Sequence, residues 1–363
     1  MPLKKEMLIL KTLSTDRLSF IILIGMIFHL GFSSCTTYSS NKTELVLRTE
    51  FMIPNEEETD EYLFIRPVDL DVDVHGNIYV LDSGDCQIKV FDSQGQYAYA
   101  FGSQGQGPGE FQSPLSINIT ESNEVMVYDM RMRKISFFSL SGDFKNQINV
   151  PAILSMLSLQ LSKENDPYAK LVEMDRYSIA KISKDFSSFE KIVEIQYGDE
   201  PDHLLRPDLY FCLANNLLVC GYSDKYELKI MDFYGNVVKT IQNKHSPVRF
   251  SEELKEQVIE LVWPKGIPEW RNVVEQKHCP AFMNLSADDD GRIYVGTFQR
   301  PKNKPGSFYF DVYDTKGKYI TKFPLDRYDY RKKLIWKDNN LYFIDINDEG
   351  LYFIKKLNAL WSH

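Results

Sequence analysis

Side chains that could hold a metal ion are the first feature of this sequence with chemical potential. Asp69, Asp71 and Asp73 alternate in the strand-like run PVDLDVD, so their side chains would share one face of a strand. Asn118 and Asn284 lie near the start of later strand-like runs. Carboxylate and amide oxygens are hard ligands that suit Ca²⁺ or Mg²⁺. Such residues are also common in turns and on water-lined surfaces, so we predict no cofactor, with a single Ca²⁺ or Mg²⁺ ion as the alternative.

A glycine-rich run, GSQGQGPGEF at 102–111, raises the possibility of a phosphate-binding loop. A dinucleotide fingerprint needs G-x-G-x-x-G opening a helix, and a P-loop needs a Lys followed by Ser or Thr. Here Gly105, Gly107 and Gly109 are two positions apart, and another strand-like run follows. The pattern therefore predicts a structural corner, in which Glu110 caps nearby amides. The alternative is that Glu110 points into the central mouth.

Patterns of nucleophilic or zinc-dependent catalysis are missing from the sequence. It contains no H-E-x-x-H, no paired histidine spacing and no G-x-S-x-G. His278 adjoins Cys279, but neighbours in an extended chain point apart, which argues against a catalytic dyad. The absence of a complete catalytic set favours binding over catalysis.

Two tryptophans mark a segment that could grip a ligand. Trp263 and Trp270 bracket the turn sequence PKGIP. Aromatic side chains on inserted loops stack against sugars or anchor protein partners. The competing interpretation is that both rings pin the segment to the protein.

The elements that must position these residues repeat along the chain. Residues 67–101 contain four short runs with period-two alternation, separated by turn sequences, which predicts a four-stranded antiparallel meander. The second run recurs at intervals of 47, 92, 76 and 48 residues, beginning at Ile78, Val125, Leu217, Ile293 and Leu341. The long intervals imply a degenerate copy near residue 171 and an insertion at about 245–280. A four-stranded unit with a period in the forties is typical of a β-propeller blade, so we predict an all-β, six-bladed propeller.

The last unit shows how the ring would close. It contains three strand-like runs and then ends, whereas the run ELVLRTEFMI at 44–53 belongs to no unit. We predict that this N-terminal strand completes the sixth blade. The insertion between blades 4 and 5 is predicted to be partly helical, because Ser251 can cap a helix whose first turn holds Glu252 and Glu253.

The N-terminal residues predict export and lipidation. Basic residues precede an apolar run at 18–32, which is followed by Ser, Ser and Cys35. The sequence FSSC resembles a bacterial lipobox, so we predict a lipoprotein signal peptide at 1–34, a lipidated tether at 35–43 carrying palmitate-type acyl chains on Cys35, and the propeller at 44–363. The alternative is an ordinary signal peptide cut near Ser34. The tether lacks acidic residues, which favours an outer-membrane lipoprotein facing the periplasm.

Composition limits the partners and the redox chemistry. The formal net charge of −9 repels phosphate backbones and argues against nucleic acid. Cys212 and Cys220 flank a predicted turn, and the sequence leaves open whether they form a disulfide across a hairpin or remain two buried thiols.

The repeat and the glycine-rich corner together resemble a known family. The runs HGNIYVLDSGDCQIKVFDSQGQY and GSQGQGPGEFQSP resemble NHL-type repeats, and the chain from Cys35 onward is similar to six-bladed propeller lipoproteins of gut-type Gram-negative bacteria. The resemblance implies the fold and an envelope location but no agreed reaction, because related propellers include metal-dependent lactonases, an amidating lyase and protein-binding modules. We therefore expect a non-catalytic, lipid-anchored module that binds an envelope protein or glycan. The alternative is a metal-assisted lactonase or lyase acting at the channel mouth.

The predicted architecture also selects a binding face. In a propeller, loops joining the second to the third strand, and those joining each outer strand to the next inner strand, emerge on one face. We call it the insertion face, because it also carries the insertion, and we call the opposite side the hairpin face. The insertion face is predicted to bind the ligand through charged and aromatic side chains: Arg66, Asp82, Glu110, Arg131, Trp263, Trp270 and His278. Membrane contact is expected through the lipid only, and the oligomeric state is left open.

Overall fold

A computed structural model describes most of the propeller region. The described residues are 43–54, 64–197, 203–244, 247–262, 266–269, 273–304, 306–326, 329, 331–347 and 349–362. Residues 43–363 form one compact unit. The predicted signal peptide and Cys35 lie outside the described residues, as do Trp263 and Trp270.

Six four-stranded antiparallel sheets form the blades, which confirms the predicted fold class. Blade 6 takes its outer strand from the N-terminus, and the other five are each built from four consecutive strands. In chain order the strands are β1 (Glu44–Ile53) of blade 6; β2 (Pro67–Val72), β3 (Ile78–Asp82), β4 (Gln87–Phe91) and β5 (Tyr97–Phe101) of blade 1; the short pair β6 (Ser103–Gln104) and β7 (Glu110–Phe111); β8 (Pro114–Ile119), β9 (Glu124–Asp129), β10 (Lys134–Ser139) and β11 (Phe144–Asn149) of blade 2; β12 (Met156–Leu161), β13 (Pro167–Val172), β14 (Arg176–Ile182) and β15 (Phe189–Gln196) of blade 3; β16 (Leu209–Ala214), β17 (Leu217–Tyr222), β18 (Glu227–Met231) and β19 (Val237–Gln242) of blade 4; β20 (Asn284–Ala287), β21 (Ile293–Gly296), β22 (Phe308–Tyr313) and β23 (Tyr319–Leu325) of blade 5; and β24 (Leu334–Lys337), β25 (Asn340–Ile346) and β26 (Tyr352–Ser362) of blade 6.

The blades bury both faces of their middle strands. All five residues of β3 are buried, because one face packs on blade 2 and the other on blade 6. Each large apolar side chain buried in this way contributes about 1.5–3 kcal/mol. Each pair of neighbouring blades shares such a core, so the main hydrophobic clusters lie between blades.

Strand β1 closes the ring by pairing antiparallel with β26, as predicted. A register shift between Thr49 and Phe51 bends the strand. Because an extra residue reverses the side-chain alternation, Leu45 reaches the core between blades 5 and 6 and Ile53 reaches the core between blades 6 and 1. The third and fourth strands of every other blade pair with a similar shift, so β1 behaves as an ordinary outer strand.

The predicted helix between blades 4 and 5 is α1 (Glu252–Val262). The Ser251 hydroxyl accepts a hydrogen bond from the amide of Leu254 at 3.3 Å, which is a helix cap. Leu254 and Val258 are buried in a separate small core that holds the helix against blade 5.

Cys212 and Cys220 are free thiols on adjacent strands. Cys212 lies opposite Val219 and Cys220 opposite Phe211, an offset of one residue. The two side chains therefore point to opposite faces of the sheet, so the disulfide that the sequence left open does not form. Burial raises the pKa of the Cys220 thiol to about 12. The described residues contain no helix that is long and apolar enough to cross a membrane.

Candidate functional site at the insertion-face channel mouth

The glycine-rich corner is built around the carboxylate of Glu110. One carboxylate oxygen accepts a hydrogen bond from the amide of Gly107 at 2.7 Å. The ammonium group of Lys134 donates to the Gly107 carbonyl at 3.1 Å and braces the loop from blade 2. Gly105 leaves room for the carboxylate, since a Cβ atom there would lie 2.0 Å from a Glu110 oxygen. Glu110 is therefore a capping residue in a structural corner, as the sequence predicted, and it is not directed at the channel.

The alternating aspartates of blade 1 join neighbouring inner strands. Asp69 accepts hydrogen bonds from the amide of Ile117 at 3.0 Å and the hydroxyl of Ser116 at 3.1 Å. Asp71 accepts from the amide of Ile119 at 2.7 Å. These carboxylates satisfy edge amides of β8 that have no strand partner on that side. Burial raises the pKa of Asp71, against the lowering effect of nearby Lys333.

The remaining members of the possible metal set are also used within the protein. Asp73 is fully buried and its carboxylate accepts from the amides of His75 and Asn77, which closes a hairpin turn. The amide group of Asn118 donates to Ser116, and that of Asn284 donates to the Lys332 carbonyl. Among the described residues, no group of three or more His, Cys, Asp or Glu side chains is placed to hold a metal ion.

The predicted binding-face residues separate into buried and exposed positions. Asp82 is fully buried, and its carboxylate accepts from the amides of Ile65, Arg66 and Gly84. It also forms an ion pair with Lys89 at 2.9 Å, so it stabilises a loop and is not available to a ligand.

Three further members of that predicted face are exposed. The Arg66 side chain is exposed and donates to the Ser83 hydroxyl at 2.9 Å. Arg131 lies in the exposed loop between β9 and β10, and His278 is exposed in the insertion, where it forms a β-bridge with Arg249. His278 lines a separate cavity of about 810 Å³ in the insertion. None of the three residues lines the opening over the central channel.

That opening is a cavity of about 550 Å³ over the central channel, which we call the mouth. Residues of all six blades or their connecting loops line it. Its charged lining comprises five basic and two acidic side chains: Lys170, Arg206, Arg331, Lys332, Lys333, Asp69 and Asp208. The mouth is therefore basic although the whole chain is acidic.

Protein contacts hold the lysines of the mouth in place. Lys170 forms an ion pair with Asp208, and its ammonium lies 4.5 Å from the ring centre of Tyr177. The ammonium of Lys333 lies 3.6 Å from an oxygen of Asp69. Burial raises the pKa of the Tyr177 hydroxyl to about 12, so the ring stays neutral beside the cation at neutral pH.

Lys332 is half-buried at the mouth. It donates to the Pro67 carbonyl at 2.8 Å and so ties blade 6 to blade 1. Burial lowers its pKa, because the surrounding protein solvates the charged form poorly, and Asp329 opposes this shift. An anion bound beside this ammonium would stabilise its charged form and so offset part of the free-energy cost of burying it.

A second cavity of about 250 Å³ opens on the hairpin side of the channel. Gln160, Asn284, Leu285 and Lys333 line both cavities and form the waist between them. Gln160 donates from its side chain to the Phe211 carbonyl at 3.1 Å, another link between inner strands. The waist thus combines structural links with one cation, Lys333.

Sequence reasoning missed the cations of the mouth. The one local signal was the run RKK at 331–333, which lies just before the first strand of blade 6. Lys170 and Arg206 lie in other blades or loops and carry no motif. Only the closed ring brings these positions together.

The fold and its channel define the molecule as a six-bladed β-propeller with NHL-type repeats and a basic mouth. The resemblance drawn from the sequence is confirmed at this level. A family model described as a 6-bladed beta-propeller matches residues 34–204, just under half of the chain.

Comparisons with individual proteins agree with this class. The human E3 ubiquitin-protein ligase NHLRC1 is 30% identical over 100 residues, which are 28% of this chain and 24% of the ligase. This chain thus spans about a quarter of that curated relative. A solved member of the DUF4221 family from Bacteroides vulgatus has a TM-score of 0.53 at 14% identity, covering 88% of this chain and 99% of that one. Virginiamycin B lyase from Staphylococcus aureus has a TM-score of 0.47 at 11% identity, covering 87% and 100%. At 14% identity, the Bacteroides vulgatus structure shows the fold alone.

Proposed function

We propose that this propeller is a lipid-anchored interaction module of the cell envelope, which binds a protein or glycan at the mouth and catalyses no reaction. The observation that carries the proposal is the mouth itself, a cavity of about 550 Å³ to which all six blades contribute. Polar and apolar side chains share its lining, as in sites that orient a ligand by a few polar contacts.

The carboxylates of Asp69 and Asp71 already accept hydrogen bonds from the protein, which supports binding over metal-assisted catalysis. A catalytic cation needs several oxygen ligands converging on one point. Asp69 and Asp71 instead accept hydrogen bonds from the inner strand of blade 2. A metal ion there would compete with these hydrogen bonds for the carboxylate oxygens.

Substitutions that fill the mouth test the proposal. Leu157 lines the mouth and is 42% exposed, so Leu157→Trp should narrow the opening without disturbing the core. Val237 on β19, far from the mouth lining, is 51% exposed, and Val237→Trp is the matched control. We expect affinity capture from solubilised envelopes to lose its partner with Leu157→Trp and to keep it with Val237→Trp. Equal capture by both variants would reject the mouth as the binding site.

The proposed anchor has a separate test. Lipidation requires the Cys35 thiol, so intact mass spectrometry of the mature protein should find an acylated N-terminal cysteine. Cys35→Ser should yield a soluble periplasmic protein or an uncut precursor. An unmodified N-terminus on the wild-type protein would contradict the anchor and leave the binding proposal standing.

A further inference from the structure

The charge of the mouth is opposite to that of the molecule. Five basic and two acidic side chains line it, whereas the chain carries a formal net charge of −9. Within a concave site of low dielectric, such a local field attracts anions and repels cations. Resting on the proposed function, we propose that the mouth binds an acidic segment of a partner protein, with its carboxylates beside Lys170, Arg206, Lys332 and Lys333.

Contacts within the protein hold the lysines of the mouth in place before any ligand binds. The Lys170 side chain is 8% exposed and lies between Asp208 and the face of Tyr177. Lys332 is fixed by the Pro67 carbonyl. Because these long side chains are ordered before binding, a ligand pays little of the entropy that free surface lysines would lose.

The walls of the mouth favour a peptide over a glycan. Sugar binding relies on exposed aromatic rings, but none of the four aromatic residues described in the lining is fully exposed. Phe211 and Phe298 are buried. Tyr177 packs on Tyr197 with ring centres 4.3 Å apart and carries Lys170, and Tyr210 packs on Phe282 at 5.7 Å.

Aliphatic side chains form part of the accessible wall. Leu157 is exposed, and Leu115 and Pro207 are half-buried. A carboxylate flanked by apolar side chains matches these walls and the cations beside them.

Exposed apolar side chains also lie on the insertion-face loops before and within blade 3. Ile153, in the loop that leads into β12, is 70% exposed, and Met174, in the loop between β13 and β14, is 100% exposed. Leu157 of β12 is exposed in the mouth lining itself. Exposed aliphatic and methionine side chains on the face that carries a basic pocket suit a protein partner that inserts an acidic loop.

Peptide binding to the full-length protein tests this inference. The probe is the fluorescent peptide acetyl-Leu-Asp-Leu-Glu-Leu-amide, and its control replaces both acids with Asn and Gln. Fluorescence anisotropy should show the acidic peptide binding at least tenfold more tightly, and added salt should weaken it. Undetectable binding of the acidic peptide at millimolar concentration, or equal binding of both peptides, would overturn the proposal.

A matched pair of variants locates the interaction. Arg206 is exposed at the mouth, and Lys316 is exposed in a turn of the hairpin face. We expect Arg206→Gln to weaken binding of the acidic peptide by about tenfold and Lys316→Gln to change its affinity by less than twofold. Both variants should have the melting temperature of the wild type. Equal effects of the two substitutions would place the binding elsewhere.

Two further ligands distinguish the sources of negative charge. Oligogalacturonate binding more tightly than the acidic peptide would replace the protein segment with an acidic glycan. Binding of inorganic phosphate alone would reduce the mouth to a simple anion site.

Partner capture that Leu157→Trp abolishes, but that Arg206→Gln and salt leave unchanged, would overturn this inference while keeping the proposed function. Capture unaffected by Leu157→Trp would overturn the proposed function itself.

Discussion

Asp82 shows how one buried carboxylate organises a loop of the insertion face. It ends the second strand of blade 1 and accepts three backbone amides and the ammonium of Lys89. Asp129 holds the same position in blade 2 and accepts the amides of Gln112, Ser113 and Met132. The repeated Asp at the end of the second strand is therefore a structural signature, since each carboxylate fixes the chain that leads into an inner strand.

The coupling of Gly105 to Glu110 gives a prediction at this scale. A Cβ atom at Gly105 would displace the Glu110 carboxylate from the Gly107 amide. Because this hydrogen bond involves a charge, we expect Gly105→Ala to lower the free energy of unfolding by about 1.5–3 kcal/mol. In a Glu110→Ala background most of this cost should disappear, and a urea-denaturation double-mutant cycle measures the difference.

Gly109→Ala is the control for that cycle. Gly109 has a φ of +75°, so alanine is strained there with or without the Glu110 carboxylate. Its cost should therefore be nearly the same in both backgrounds. If the cost of Gly105→Ala also stays constant, the loop does not depend on the Glu110 cap.

At the scale of elements, most of the described strands and the helix α1 could be predicted from sequence. Period-two alternation and turn residues locate the strands, and Ser251 with Glu252 and Glu253 marks the start of α1. The short parallel pair of β6 and β7 could not be predicted, because two-residue strands carry no periodicity. Asp82 was predicted to contact a ligand because its turn lies on the insertion face. Its burial depends on the loop at 64–66, which folds back over it.

The separate core beneath α1 leads to a prediction about this element. Leu254 is 3% exposed and packs with Phe250, Phe298 and Phe308, away from the cores between blades. Leu254→Ala should lower the free energy of local unfolding by about 2–5 kcal/mol, because it leaves a cavity in that small core. Hydrogen exchange should then accelerate at least tenfold in residues 252–262 and stay unchanged in the strands of blade 2.

The exposed helix position Glu256 provides the comparison for Leu254. Glu256→Ala removes no buried contact, so exchange in the helix should stay near the wild-type rate. Faster exchange throughout the ring after Leu254→Ala would show that the insertion is part of one cooperative unit with the blades.

At the scale of the whole molecule, the sequence predicts the ring but not the chemistry of its mouth. The repeat interval fixes the number of blades, and the missing outer strand of the last unit predicts closure by β1. The basic mouth arises from Lys170, Arg206 and Lys332, which are far apart in the chain and meet only after closure. No local pattern encodes that meeting, so the site follows from the structure and not from a motif.

Closure itself can be tested with two neighbouring residues of β1. Leu45 is 6% exposed in the core between blades 5 and 6, whereas Val46 is 48% exposed and points away from it. Leu45→Asp places a charge among apolar side chains, so β1 should detach from β26 and leave that strand with an unpaired edge. We expect Leu45→Asp to lower Tm clearly and to promote self-association in light scattering, and Val46→Asp to change neither. Both substitutions add the same charge to the same strand. A similar loss of Tm in the two variants would therefore mean that strand pairing, and not the inward side chain of Leu45, holds the ring closed.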